Sequence, residues 1–342
     1  VCSIVLVPGF EIFDAKLKGE YGYGVYENVV TSLEFERFLS ATGPTEGHIC
    51  SPSDHKDPVK VAWIQCVGSR DCNNASEYCS SICCMYATKE AIIAREHDSR
   101  IQATIFYLDI RSFGKNFDNY VNSAKENGVR YIRSMISKVK EDPKTKNLFI
   151  QYMADGKLQE EEFELVVLSV GVQPPKEAKL LSETLGFDLN EYGFAQTDKF
   201  NPTKTTRDGI FVAGAFQGPR DIPETVMNAS AAAGCAGGLL SDSRGTMMIP
   251  KLYPDEIDVL GQEPRIGVFV CHCGINIAGV VDVKRVVENI KHMPGVVHFQ
   301  DYLYTCSEHT IKQMREHIQE KGLNRIIVAS CTVRTHRPLF QE

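Results

Sequence analysis

The sequence predicts an α/β protein whose sheets are parallel and doubly wound. Three observations carry this: short, strongly apolar segments of buried-strand length, helical patterns between many of them, and an ordinary globular composition. The 342 residues are 43% hydrophobic and 24% charged, with a net charge of −7. That length suggests two or three domains. No apolar run approaches the ~18 residues that cross a bilayer, and no signal peptide is visible, so membrane-spanning and secreted classes are excluded and a cytoplasmic protein is expected. The mild acidity leaves no electrostatic footprint for nucleic acid.

Taken in order, the expected strands are Ser3–Pro8, Lys60–Val67, Ala103–Asp109, Leu148–Met153, Glu164–Val170, Gly209–Ala213, Arg265–Cys271, Val296–Phe299 and Arg325–Ser330. Thr31-Ser-Leu-Glu34 reads as a capping box opening a helix to about Ala41, because the threonine hydroxyl and the glutamate can satisfy each other's backbone amides. Further helices are expected over Ser80–His97, Lys115–Asn127 and Glu224–Leu240, and Asp282 and Ser307 are N-cap candidates for helices ending near His292 and Lys321. Composition shifts at Gly43–Pro58 and Ser241–Pro264 suggest boundaries. They divide the chain into a discontinuous first domain (1–55 and 160–245), an inserted α/β domain (56–159), a linker (246–262) and a second α/β domain (263–342). Val1 is not a natural start, and a fragment of a longer polypeptide is expected.

Twelve cysteines are too sparse for a disulfide scaffold, yet five fall between Cys66 and Cys84. Cys66 ends a predicted strand; Cys79, Cys83 and Cys84 follow in the pattern C-x12-C-x3-C-C, where three-to-four spacing would place the last three on one helical turn. Four thiolates without a nearby histidine suit an iron–sulfur cluster or an all-cysteine zinc site, with redox-active thiols as the third reading. Adjacent cysteines favour the cluster, since they sit more easily on a wide group than around one ion. Cys72 lies in a polar loop and, with Cys2, Cys50 and Cys235, is read as a bystander. A second set, Cys271, Cys273, Cys306 and Cys331, falls at three successive strand ends, which converge on one edge of a parallel sheet. If only Cys271 and Cys273 meet, they form a labile dithiol instead.

Three further stretches carry a cofactor signal. Ser3–Gly9 and Leu165–Gly171 are apolar strands ending in glycine, and Thr206–Ala215 runs into a Gly-Ala turn ahead of an Ala-rich helix. A helix N-terminus beside such a turn offers free amides and a positive dipole end to an anion. In this order they resemble the C-terminal half of flavoproteins of the thioredoxin reductase type, which implies a two-domain flavoprotein core, here incomplete, and FAD contacts at Gly9, Gly214, Ala215, Phe216, Asp221 and Ile222. Ala215 stands where those proteins carry an aspartate, and Asp221 is the substitute candidate. No G-x-G-x-x-G occurs; after the first strand of the inserted domain stands Gln65-Cys-Val-Gly-Ser-Arg70, a cysteine where a nicotinamide-binding loop would have glycines. The nicotinamide site reads as replaced by a cluster, and weak or no FAD binding is expected of these residues alone.

Gln65–Asp71, Tyr78–Ala87, Thr31–Glu36 and Gly218–Val226 together resemble the A-type subunits of heterodisulfide reductases, which carry FAD and iron–sulfur centres, through about residue 245. Residues 265–342 are similar to that family's N-terminal cluster domain, here placed after the flavin domain. The resemblance implies a 4Fe–4S cluster on Cys66, Cys79, Cys83 and Cys84, a lysine near the flavin at Lys89, and an acidic partner at Glu36 or Glu34. It also implies electron transfer between FAD and 4Fe–4S clusters with flavin-based bifurcation. The implied partners are other components of such a complex, ferredoxin, and hydrogenase or dehydrogenase donors, within a homo-oligomeric assembly. Rival expectations are a zinc-stabilised scaffold docking redox partners and a dithiol–disulfide oxidoreductase working through Cys271 and Cys273.

Overall fold

A computed structural model describes residues 3–74, 76–154, 156–246, 248–249 and 257–341. The chain forms two compact units, Val1–Met248 and Ile249–Glu342. Residues 247 and 250–256 of the expected 246–262 linker, and the bystander Cys2, lie outside the described residues.

The first unit runs β1 (Ile4–Leu6), β2 (Glu11–Ile12), β3 (Val29–Thr31), α1 (Ser32–Leu39), β4 (Lys60–Val67), α2 (Cys83–His97), β5 (Gln102–Tyr107), α3 (Phe117–Glu126), β6 (Arg130–Arg133), β7 (Val139–Glu141), β8 (Leu148–Ala154), β9 (Lys157–Phe163), β10 (Leu165–Val170), β11 (Val172–Gln173), α4 (Ala178–Leu185), β12 (Ile210–Val212) and α5 (Ile222–Leu239). The α/β class is as expected. Its centre is a five-stranded sheet in the order β3-β10-β4-β5-β6, parallel at every pairing. The expected boundaries at 55/56 and 159/160 therefore cut through one hydrogen-bonded sheet, because β3 and β10 pair with each other and β10 pairs with β4.

Both faces of this sheet are covered. On one, Ala87, Ala91 and Ala94 recur at helical spacing along α2 and are fully buried with Trp63, Ile105 and Val167, so small side chains let the helix axis approach the strands closely. On the other lies the antiparallel sheet β7-β8-β9, whose Val139, Leu148, Ile150 and Phe163 pack with Ala62, Ile64 and Phe106. This corrects one expectation: the Leu148 segment belongs to an antiparallel meander and not to a doubly wound sheet. β1 and β12 form a separate parallel pair, with α4 residues packed on one side and α5 residues on the other.

The second unit runs β13 (Ile266–Cys271), α6 (Gly274–Ile277), α7 (Val283–Ile290), β14 (Val296–Tyr302), α8 (Glu308–Lys321), β15 (Arg325–Ala329) and α9 (Val333–Gln341). Its parallel sheet has the order β14-β13-β15. The Asp282 and Ser307 side chains cap α7 and α8 as expected, accepting from Arg285 and Thr310 amides at 3.0 and 3.3 Å. No helix among the described residues is long and apolar enough to cross a membrane.

Candidate functional site

β4 delivers Cys66 to the carboxyl end of the parallel sheet, and the chain then turns sharply. Cys66, Gly68 and Arg70 all have positive φ (61°, 72° and 58°), and Ser69 N donates to Cys66 O at 3.2 Å. Gly68 is obligatory there: a Cβ would stand 2.0 Å from Cγ of buried Phe13. The expected helix from Ser80 begins instead at Cys83, so Cys79 is not on the turn that holds Cys83 and Cys84. The reason is tertiary. Ser80 Oγ pairs with Ser69 and accepts from the Val172 amide at 2.8 Å, while Ser81 takes a left-handed φ of 63°. Those anchors hold 79–82 as a loop against the strand ends.

The four thiols remain within electrostatic reach of one another. Burial, followed by the neighbouring Cys84, pushes Cys66 up to about 11; burial likewise raises Cys83, where Cys66, Cys84 and Cys79 add to it. Cys84 is raised chiefly by burial, against an opposing hydrogen bond from the Arg111 backbone. The Cys79 sulfur accepts from Ser81 N at 3.3 Å, and the Cys83 and Cys84 thiols donate to the carbonyls of Val170 and Asp109, each at 3.7 Å. Cys83 and Cys84 also occupy the first turn of α2, where the helix dipole favours thiolate. Among the described residues, no group of three or more His, Cys, Asp or Glu side chains is drawn together tightly enough to hold a metal ion. The donor chemistry is nonetheless that of an all-sulfur site. Gln65, one residue before Cys66, is 6% exposed with neither amide atom partnered, an orphan pointing to a group beyond the protein's own atoms.

Lys89 and Glu36 meet across α1 and α2 at 2.6 Å, both about half exposed. Glu34 is otherwise engaged. It completes the capping box, accepting from Thr31 N at 2.7 Å, and takes the Tyr23 hydroxyl at 3.0 Å. Of the two acidic candidates only Glu36 is paired with the lysine. Sequence reasoning missed Glu90, the next residue along α2. It is 2% exposed, accepts from Trp63 Nε1 at 2.9 Å, and is held well above the usual carboxylate range by burial.

At the flavin-type edge, β1 and β12 run parallel, and Gly9 and Gly214 follow their carboxyl ends, both with positive φ. Gly214 N donates to Asn228 Oδ1 at 3.0 Å, a partner the sequence reading did not single out. Phe216 is fully buried against Phe187, leaving only its backbone for a ligand. Asp221 is the N-cap of α5, accepting from Glu224 N at 2.8 Å in a second capping box, so its carboxylate is already engaged; Ile222 is exposed. The glycine turns and the α5 N-terminus suit an anionic cofactor.

In the second unit Cys271 ends β13, Cys273 caps α6, Cys306 precedes α8 and Cys331 follows β15. The Cys273 thiol is raised by burial and then by Cys271, Cys331 and Cys306, so these four also gather at the carboxyl edge of their sheet. Cys306 and Cys331 are exposed, as are Cys72 and Cys235.

Residues 85–233 match the pyridine nucleotide-disulphide oxidoreductase family. The A-type iron-sulfur subunit of the CoB–CoM heterodisulfide reductase of Methanocaldococcus jannaschii is 44% identical over 266 residues, 76% of this chain and 40% of that protein. Its counterpart in Methanopyrus kandleri, the second of two A forms there, is 45% identical over 246 residues, 70% of this chain and 38% of that protein. Among solved structures, thioredoxin reductase of Lactococcus lactis (FR conformation) is 21% identical over 70% of this chain and 66% of that one, with a TM-score of 0.44. The chain spans about two fifths of the length of the curated relatives it matches. With an oxidoreductase domain and this degree of identity, the chain is a homologue of the A-type subunits of CoB–CoM heterodisulfide reductases.

Proposed function

We propose that this chain is the electron-transfer part of a heterodisulfide-reductase-like flavoprotein. In this reading one 4Fe–4S cluster is held by Cys66, Cys79, Cys83 and Cys84, and a second by Cys271, Cys273, Cys306 and Cys331. Gly9, Gly214, Ala215, the Phe216 backbone, Asp221 and Ile222 would contribute to an FAD site without sufficing for it alone. The observation that carries the reading is the first thiol set. Four buried or half-buried thiols come to one sheet edge within electrostatic reach of one another. An all-sulfur donor set that includes the adjacent Cys83 and Cys84 suits a cluster better than a lone tetrahedral zinc.

When bound, FAD would exchange electron pairs and the clusters single electrons, which is the chemistry bifurcation requires. The chain's own residues supply the setting. Lys89, fixed by Glu36, presents a cation that would stabilise negative charge gained on reduction. Cys66 occupies the turn where a nicotinamide loop would run, so electrons would enter through sulfur-bound iron. The names of the relatives support the assignment of partners: other components of a heterodisulfide-reductase-like complex, with ferredoxin or hydrogenase-type donors. Iron and acid-labile sulfide analysis of anaerobically prepared protein tests the reading, together with a visible band bleached by dithionite. Zinc in place of iron would sink it.

A further inference from the structure

The turn after Cys66 carries a charge arrangement that the proposed electron transfer does not yet use. Arg70 donates to Asp109 Oδ1 at 2.8 Å and lies within electrostatic reach of Cys66 and Cys79. From the loop after β5, Arg111 approaches the same carboxylate at 4.0 Å. The Asp109 carbonyl accepts from the Cys84 thiol. Two guanidiniums thus share one carboxylate beside three of the four thiols, leaving one uncompensated positive charge there. Arg70 is held in that place by its backbone, since its amide donates to Tyr78 O at 3.0 Å and its φ of 58° is one that a non-glycine residue adopts only under constraint. Lys18 pairs with Asp71, so the next carboxylate along is not available to neutralise Arg70.

We propose that Arg70, seconded by Arg111 and anchored by Asp109, is the electrostatic element that raises the reduction potential of the electron-carrying group on Cys66, Cys79, Cys83 and Cys84. The inference rests on the cluster reading above. Adding one electron to such a site adds one negative charge and requires no proton. A fixed guanidinium nearby favours the reduced state by simple attraction. The pair is partly exposed, with Arg70 at 30% and Asp109 at 47%, so the effect should weaken as salt rises.

The test is an EPR-monitored redox titration of the anaerobically prepared full-length protein, with dithionite as reductant, alongside iron and sulfide content. Arg70→Gln should keep its iron while the reduced-to-oxidised ratio at a fixed potential falls about tenfold, which for a one-electron couple is a midpoint about 59 mV lower. Arg70→Lys should bring the ratio back to within about twofold of wild type. The gap between wild type and Arg70→Gln should narrow at 1 M salt, where the screening length is only about 3 Å. An iron-loaded Arg70→Gln protein with an unchanged midpoint overturns the inference, as does an Arg70→Lys protein shifted as far as the glutamine variant. If Arg70→Gln fails to load iron, Arg111→Gln decides: a lower midpoint supports the inference and an unchanged one overturns it. Wild-type protein free of iron would overturn the cluster reading and this inference together, whereas loaded variants that do not shift overturn this inference alone.

Discussion

Glu90 offers a sharp test of how the core of the first unit is built. Its carboxyl is 2% exposed, beneath α2, with the Trp63 indole N–H as donor at 2.9 Å. Burial raises its proton affinity most; Glu36 adds to that, and Trp63 and Lys89 oppose it. The folded state therefore binds the proton more tightly than the unfolded chain, whose ordinary value is 4.5. The sign follows. The stability contributed by this group is complete below the unfolded value and is lost as pH rises toward the folded one. Within that window the loss is about 1.4 kcal/mol for each pH unit. Glu90→Gln keeps the size and offers Trp63 a carbonyl oxygen, but it cannot ionise. Its stability relative to wild type should therefore climb with pH at that slope. Trp63 is the single tryptophan and fully buried, so its fluorescence during urea denaturation reports this core directly. Curves for the two proteins from about pH 5 to pH 8 give the comparison. Parallel pH profiles would refute the reasoning, because Glu90 would then be ionised in the fold.

Three other outcomes are expected. Gly68→Ala should cost about 2–4 kcal/mol in urea denaturation, from a Cβ driven into Phe13 and a φ of +72° that alanine resists; near-wild-type stability would contradict the turn geometry. Lys89→Gln removes an exposed ion pair worth under about 1 kcal/mol, so the Tm should barely move, and a fall of many degrees would show that the pair is structural. In the second unit His298 is held below its ordinary value by burial, then by His317 and Lys321, and stacks on His317 at 4.6 Å. The unfolded chain takes up the proton first as pH falls below about 6.5, so stability is lost from there downward. Amide hydrogen exchange in β13 and β14 should quicken between about pH 7 and pH 5 in wild type and less so in His298→Phe; equal acceleration in both would assign the effect elsewhere.

Much of the fold was legible because the strongest signals are local or periodic. Thr31 and Glu34 announce their helix from three residues apart, and the parallel strands read as apolar runs since both faces are covered. What stayed hidden depends on partners distant in sequence. β9, Lys-Leu-Gln-Glu-Glu-Glu-Phe, has no apolar run. It is a strand because its acidic side chains meet Arg130, Asn147 and Gln151, and only Phe163 reaches the core. Val29–Thr31 is too short to read, yet its pairing with β10 joins segments expected in separate positions of the first domain to the sheet of the inserted one. The thiol set shows both cases. Spacing along the chain put Cys79, Cys83 and Cys84 on one helical turn, but the start of α2 was set by Ser80's contacts with Ser69 and Val172, which no helical period encodes. Arg70 stood in plain view beside Cys66. Its meaning came only from Asp109, 39 residues away.

The strain in that turn separates an electrostatic role for Arg70 from a structural one. A left-handed conformation costs a non-glycine residue roughly 1–2 kcal/mol, and Arg70 bears it at 58°. The ion pair it makes is partly exposed and contributes at most about 1 kcal/mol, so the side chain does little to offset the backbone. Were Arg70 kept for stability alone, glycine would be the better residue. Arg70→Gly should therefore leave the urea midpoint near or slightly above wild type, the relieved strain being partly cancelled by the greater freedom of glycine in the unfolded chain. Destabilisation by more than about 2 kcal/mol would mean that the guanidinium holds the turn together. Unchanged stability places its value where the strain already points, in the charge it sets beside the thiols.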